Sequence, residues 1–318
     1  MKHCLRTLLA VLLAISLTLT GMALAEEELE LGLAVEGPEE MEALPALALE
    51  DGALAVDGAA LVTEDVATNA EGDEIVAKID KANFPAADFR KYVLANIDAD
   101  GDKKLSRSEA DGVTELMLRT YEDTREGRNA YNLSTLKGVE YFENLEQLEC
   151  VDCKVKALDV SKNTKLLTLN CSENRLAALD LGNNTELEEL ACQNNKLEKL
   201  NVSKNTRLIE LNCGSNGLRA LDTRANTELE LLNAIDNRLT ALDISRNAKL
   251  EFLYTNGNPI RVLDLKHNRI LRDHLKKKLW KEKSGVYWSY EGDSDTWGLG
   301  IDYATILTSG RKMLYEGR

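Results

Sequence analysis

Residues 166–186 read LLTLNCSENRLAALDLGNNTE, and residues 187–207 read LEELACQNNKLEKLNVSKNTR. The two align without a gap, pairing Leu166 with Leu187, Cys171 with Cys192, Asn174 with Asn195 and Asn184 with Asn205. Worked outward, the same 21-residue period runs from 145 to 270, with six rungs opening at Leu145, Leu166, Leu187, Leu208, Leu229 and Leu250. A fixed period of this length marks a solenoid, in which each unit buries its apolar face only against its neighbours. The expected architecture is a repeat solenoid, mostly β. Its core is a parallel sheet of six 21-residue rungs, between a small helical N-terminal cap and a helix-plus-β C-terminal cap.

Within a rung, Leu169-x-Cys171 and Leu179-Asp180-Leu181 alternate as short strands do, apolar side chains inward and their neighbours outward. Cys150, Cys171, Cys192 and Cys213 fall on one rung position, which Ala234 and Thr255 occupy in the next two rungs. A slot shared by Cys, Ala and Thr is a tight interior slot, where cysteine behaves as a small hydrophobe. A ladder of buried thiols is therefore favoured over disulfides, which stacking at about 4.8 Å does not exclude.

Two asparagine columns recur in phase. The first holds Asn174, Asn195, Asn216, Asn237 and Asn258, with Cys153 in that position of the opening rung. The second holds Asn163, Asn184, Asn205, Asn226, Asn247 and Asn268. Side-chain amides at such points satisfy backbone groups of a turn. Asp159, Asp180, Asp222, Asp243 and Asp264 form a third column, interrupted by Asn201, and are expected to bond the turn that follows them.

The pattern L-x-x-L-x-C-x-x-N-x-L-x-x-L-D-x-S-x-N-T-x resembles the short leucine-rich repeats of bacterial secreted and cell-surface proteins, over about 130 residues. The resemblance implies a recognition or adhesion module and no enzyme. The preceding stretches, NFPAADFRKYVLANIDADGDKKLSRSEA and LSTLKGVEYFENL, are similar to the N-terminal module that often leads such repeats.

One segment carries metal chemistry. From Asp98 to Glu109, DADGDKKLSRSE has the twelve-residue spacing of an EF-hand calcium loop. Asp98, Asp100 and Asp102 would offer carboxylate oxygens, Lys104 a backbone carbonyl, Ser106 its hydroxyl or a water, and Glu109 two oxygens. Calcium is the expected cofactor, as a structural brace for the cap. The loop also resembles half of a dockerin, the calcium module of polysaccharide-degrading assemblies, although no second loop is present to complete one. One position departs from the pattern: Lys103 stands where the chain needs φ > 0 and glycine is usual. Phe89, Val93 and Ile97 give an entering helix its apolar face, with Asn83 and Pro85 as start signals.

The flanks divide the rest. Residues 1–25 read as an export signal, with Lys2 and Arg6, the stretch LLAVLLAISLTLT, and an A-x-A site at Ala23–Ala25. Residues 26–77 contain 16 acidic residues and no lysine or arginine, and read as a disordered acidic leader. Without them the net charge of −15 becomes near neutral, 38 acids against 39 bases. A helical cap at 78–112 and an irregular half-repeat at 113–144 precede the rungs. After them, 271–318 begin with an amphipathic helix (RILRDHLKKKLWKEK) and continue as a small β-cap.

These readings place the protein outside the cytoplasm, secreted or at the cell surface, with no membrane span after signal cleavage. The expected partner is an extracellular protein or glycan and no nucleic acid, with a weak contact between the basic helix and anionic cell-wall polymer. The outward side chains of the first strand change from polar at Gln147 and Glu149 to apolar at Leu231, Phe252 and Tyr254. These last three are the candidate ligand-binding residues. No G-x-S-x-G, H-E-x-x-H or phosphate-cradling glycine loop is present, so the chain reads as non-catalytic.

Overall fold

The computed structural model describes residues 68–69, 72–118 and 133–274, together with the backbone of 279–281, 286–290, 297–302, 306–309 and 312–316. The export signal, most of the acidic leader and much of the basic stretch after His274 lie outside the described residues.

The repeat folds as a parallel β-solenoid. Each rung contributes one three-residue strand: β4 Gln147–Glu149, β5 Thr168–Asn170, β6 Glu189–Ala191, β7 Glu210–Asn212, β8 Leu231–Asn233 and β9 Phe252–Tyr254. They pair in parallel and in register, Leu148 beside Leu169, Leu190, Leu211, Leu232 and Leu253. Those central leucines are buried, as are the thiols of Cys150, Cys171, Cys192 and Cys213 two residues on, all of them free. Burying each leucine contributes on the order of 1.5–3 kcal/mol, so the repeat stabilises itself rung by rung. The Leu-Asp-Leu half-unit is irregular in the first five rungs and forms a strand only in the last, as β10 (Val262–Asp264).

The solenoid starts earlier than the period does. Strand β3, Glu115–Met117, lies parallel to β4 with Leu116 beside Leu148, and Leu118 follows in the slot the cysteines occupy later. The register jumps here by 32 residues against 21 elsewhere, so the half-repeat expected at 113–144 supplies a strand that its period conceals.

Backbone bonding explains the columns. Asn174, Asn195, Asn216, Asn237 and Asn258 each accept, at Oδ1, a backbone N–H of the preceding rung, from Val155, Leu176, Leu197, Leu218 and Leu239 at 2.9–3.0 Å. Their Nδ2 groups donate to carbonyls of the preceding rung's slot residue, Cys150 for Asn174 (2.6 Å) and Cys171 for Asn195 (2.9 Å). Cys153 does the same work with a thiol, donating to the Leu118 carbonyl at 2.8 Å. In the second column each Nδ2 from Asn184 to Asn268 reaches the backbone carbonyl of the asparagine one rung back, and that of Asn163 reaches the Phe142 carbonyl. The aspartates Asp159, Asp180, Asp222, Asp243 and Asp264, and Asn201 among them, each accept the N–H two residues on, closing the next turn as expected.

The N-terminal cap is more than helical. Strand β1 (Ile75–Lys78) pairs antiparallel with β2 (Lys104–Ser106), so the acidic leader does not reach 77 as an unstructured segment. Ala77 and Ile79 enter the core, and Glu74 pairs with Arg107 at 3.4 Å. Helix α1 (Ala87–Asn96) buries Phe89 and Val93. It starts after Ala86 without a side-chain cap, whereas Asn83 instead donates to the Lys78 carbonyl and accepts from the Tyr141 hydroxyl. Helix α2 is the short Arg107–Asp111.

At the C-terminal end, helix α3 (Arg269–His274) is shorter than its leucine spacing suggests, because Leu279–Lys281 is extended as β11. It joins β12 (Val286–Tyr290) and β13 (Trp297–Asp302), and β13 runs parallel beside β9. An open edge at β9 would leave a row of backbone N–H and C=O groups unpaired, and the extended tail covers it. Strands β14 (Ile306–Ser309) and β15 (Lys312–Glu316) continue from β10. Among the described residues, no helix is long and apolar enough to cross a membrane.

Candidate functional site

Two regions hold the residues that the sequence singles out: the acidic loop before the solenoid and the outward face of its sheet.

The loop is built between α1 and β2. Carboxylate oxygens of Asp98, Asp100 and Asp102 lie within 4.8 Å of one another. Asp98 Oδ2 accepts the Lys103 N–H at 3.2 Å, Asp100 Oδ1 accepts that of Asp102 at 3.0 Å, and Asp102 Oδ1 accepts that of Lys104 at 2.7 Å. Lys103 takes φ 62°, the left-handed conformation the position requires, at a cost of about 1–2 kcal/mol for a residue with a Cβ. Glu109 folds back on the loop. Its Oε1 accepts the Ala99 N–H at 2.7 Å, and its Oε2 accepts the Ser106 N–H and hydroxyl, both at 2.9 Å. Ser106 in turn caps α2, completing a reciprocal capping box with Glu109.

Electrostatically the cluster fits a hard cation. Asp98 Oδ1 is buried without a hydrogen-bond donor, and burial raises the Asp98 carboxyl above its ordinary range, helped by the charges of Glu109, Asp100 and Asp102. The Lys104 ammonium, 2.9 Å from Asp102 Oδ2, supplies one compensating charge, and its hydrogen bond holds the Asp102 carboxyl below its usual value. The donors that remain are oxygens, of the kind a divalent cation such as calcium would take.

The outward face differs from expectation. Gln147, Glu149, Thr168, Asn170, Glu189 and Ala191, on β4 to β6, are half-buried, with Glu149 Oε2 itself shut off from solvent. Further along, Leu231 is 2% exposed and Tyr254 4%, while Phe252 is half-buried, so Leu231, Phe252 and Tyr254 do not form an open aromatic platform. Burial covers this whole end of the face, where the outward Glu210, Asn212 and Asn233 are buried as well. Leu231 sits between Glu210 and Phe252 of the flanking strands, and β13 adds a further neighbour beside Tyr254. Burial pushes the Tyr254 hydroxyl well above its ordinary pKa. The more exposed part of this face is therefore its polar first three rungs, whose residues share the outward strand positions readable from sequence but are not among the candidates named there.

Nothing here assembles a reaction centre among the described residues. The cysteines are sealed in the core, with burial pushing the thiols of Cys171 and Cys213 up to about 12. A cleft of about 290 Å³ between α1 and β3 is lined by Tyr92, Asn96 and Ile97 and carries a single carboxylate, Glu115.

No protein-family model matches the sequence, and no curated protein is similar to it. Solved structures similar to this chain include several bacterial repeat proteins. One is the functional domain of InlJ from Listeria monocytogenes, described as including a cysteine ladder, at 23% identity and TM-score 0.27 over 61% of this chain and 55% of that one. This chain thus spans about half of that domain. Internalin C2 from the same organism is 16% identical with TM-score 0.42, covering 61% of this chain and 93% of that one. A leucine-rich-repeat protein of Leptospira interrogans is 20% identical with TM-score 0.37, covering 53% and 49%.

Proposed function

We propose that this chain is a non-catalytic recognition protein of the cell exterior, secreted or surface-held, that binds a protein or glycan partner on the outward face of its solenoid. The observation that carries this reading is the row formed by Gln147, Thr168 and Glu189 with Glu149 and Asn170. Polar side chains on three successive strands stand half-exposed, about 4.8 Å apart, on a backbone fixed by ladder hydrogen bonds. A rigid array of this kind pays little ordering entropy on binding, which favours recognition over chemistry. Export rests on the signal-like residues 1–25, and the partner belongs to the space that segment leads to.

Calcium in the 98–109 loop is part of the same proposal. The ion would be held by Asp98, Asp100 and Asp102 with the Lys104 carbonyl, and by Ser106 and Glu109 once these loosen from the capping box. It would brace the α1–β2 junction next to the first solenoid strand, outside the binding face. A photo-crosslinker placed at Thr168 or Glu189 of the full chain, in the producing cell, tests the face. Thermal denaturation with calcium and with chelator tests the loop.

A further inference from the structure

A second surface lies on the flank, just past the turn that leaves the sheet. Each turn passes through a left-handed residue, Asp152, Glu173, Asn194, Ser215, Asp236 and finally Gly257, and then through the ladder asparagine or Cys153. The next residue is locked to its neighbours. The backbone N–H groups of Arg175, Lys196 and Arg238 donate to Val155, Leu176 and Leu218 of the preceding rung at 2.8–2.9 Å. The side chains of this position therefore stack in a column at the rung spacing, about 4.8 Å.

Each rung carries a cation at this position or two residues beyond it. Arg175, Lys196 and Arg238 occupy the column itself, and Lys154, left-handed at φ 63°, stands at the same position of the opening rung. Gly217 and Pro259 interrupt it, and in those two rungs an exposed arginine stands two residues further along the same loop, Arg219 and Arg261. Three other cations of the solenoid are neutralised, Arg207 by Glu186, Arg224 by Asp222 and Lys249 by Glu228. Lys162, Lys204 and Arg246 beside the aspartate column have no ion-pair partner among the described residues, but they recur only in every second rung, alternating with Asn183, Ala225 and His267. Among the described residues the six flank cations have no ion-pair partner, although Asp152, Glu173, Asp236 and Glu198 lie nearby in sequence. Six unpaired positive charges along one flank, four of them at the repeat position, are costly to the free protein through mutual repulsion, and they match a ligand whose negative charges also recur in a line.

We propose that this flank binds a linear acidic polysaccharide laid along the solenoid axis. A polyuronate carries one carboxylate per sugar ring, a repeat on the scale of a rung, and each carboxylate is met by one guanidinium or ammonium. Arginine, four of the six, presents the forked donor that suits a carboxylate. The surface is distinct from the sheet face, so this inference stands or falls independently of that reading. The chain as a whole repels polyanions, with 54 acidic against 39 basic residues, so binding has to come from a local array.

The test is calorimetric titration of the full mature chain with polygalacturonate, with uncharged dextran and single-stranded DNA as comparison polymers. Two variants of equal charge change are compared: Arg175→Gln/Lys196→Gln/Arg238→Gln on the flank, and Lys162→Gln/Lys204→Gln/Arg246→Gln on the turn beside the aspartate column. The proposal expects salt-dependent binding of polygalacturonate that weakens roughly tenfold or more in the flank variant and less than about twofold in the other. Absent binding, an equal loss in both variants, or single-stranded DNA bound as tightly would each overturn it. Circular dichroism establishes that both variants fold, and Arg175→Lys/Arg238→Lys, which keeps the charge, should retain most of the affinity.

Discussion

Asn205 donates through Nδ2 to the backbone carbonyl of Asn184, one rung back, at 2.8 Å, and through the same amide to the carbonyl of Leu181 at 3.0 Å. Both residues are fully buried, and the bond recurs from Asn184 to Asn268, so one side-chain type repeatedly ties the turn that leads into each strand to the rung behind it. Asn205→Ala strands two buried carbonyls. It should destabilise the protein by about 2–4 kcal/mol in urea unfolding, while a substitution of exposed Asn201 stays below about 1 kcal/mol. Equal losses at both positions would count against the column as a structural element.

The left-handed residues form a column that the side chains disguise. Glu173 has φ 57° and Ser215 φ 51°, conformations that favour glycine. Glu173→Gly and Ser215→Gly should each stabilise by roughly 0.5–1 kcal/mol, read as a raised midpoint in thermal unfolding. Gly257, at φ 74°, should resist the reverse change. A Cβ there would lie 2.0 Å from Asp236 Oδ1 and 2.9 Å from the Asp236 nitrogen, so Gly257→Ala should lower the midpoint.

The four stacked thiols should be inert while the protein is folded. Cys150, Cys171, Cys192 and Cys213 are sealed from water, and Ellman's reagent should label none of them until the chain is denatured. The pH dependence has a definite sign. In the unfolded chain these thiols ionise near 9, while burial holds those of Cys171 and Cys213 protonated up to about 12. Their contribution to stability is therefore complete below pH 9 and is lost as pH rises from 9 towards 12. Rapid labelling of the native protein at pH 8 would contradict the sealed ladder.

Much of this was legible in advance, and the misses have physical causes. The strands, the thiol slot, both asparagine columns and the aspartate turns follow from phase alone, because stacking repeats the same environment every 21 residues. Strand β3 was hidden because its residues are followed by an insertion that breaks the period. Strand β1 was hidden because Asp73 and Glu74 look like the acidic stretch before them, although Asp73 accepts from Ser108 at 2.6 Å and Glu74 pairs with Arg107. At the candidate site, the acidic loop was readable from its spacing, since oxygen donors at fixed intervals need no tertiary information. The state of Leu231, Phe252 and Tyr254 was not. Alternation tells which way a side chain points, not whether the surface it points to is open.

Calcium and Asp98 should separate cleanly. With calcium, the thermal midpoint of the wild-type chain should rise in proportion to the logarithm of ion concentration above the dissociation constant, and chelator should reverse it. Asp98→Asn removes the carboxyl that burial and three neighbouring carboxylates disfavour, so without calcium this variant should be no less stable than wild type. With calcium it should show no shift. A calcium response that survives Asp98→Asn would place the ion elsewhere.

The most direct test of the recognition role is site-specific photo-crosslinking in the producing cell, with the probe at Thr168 and Glu189 on the sheet face and at Ser203 on an exposed turn. The account predicts a discrete adduct of one size at Thr168 and Glu189 and none at Ser203. Adducts only at Ser203, equal adducts at all three positions, or none at the sheet face would contradict it.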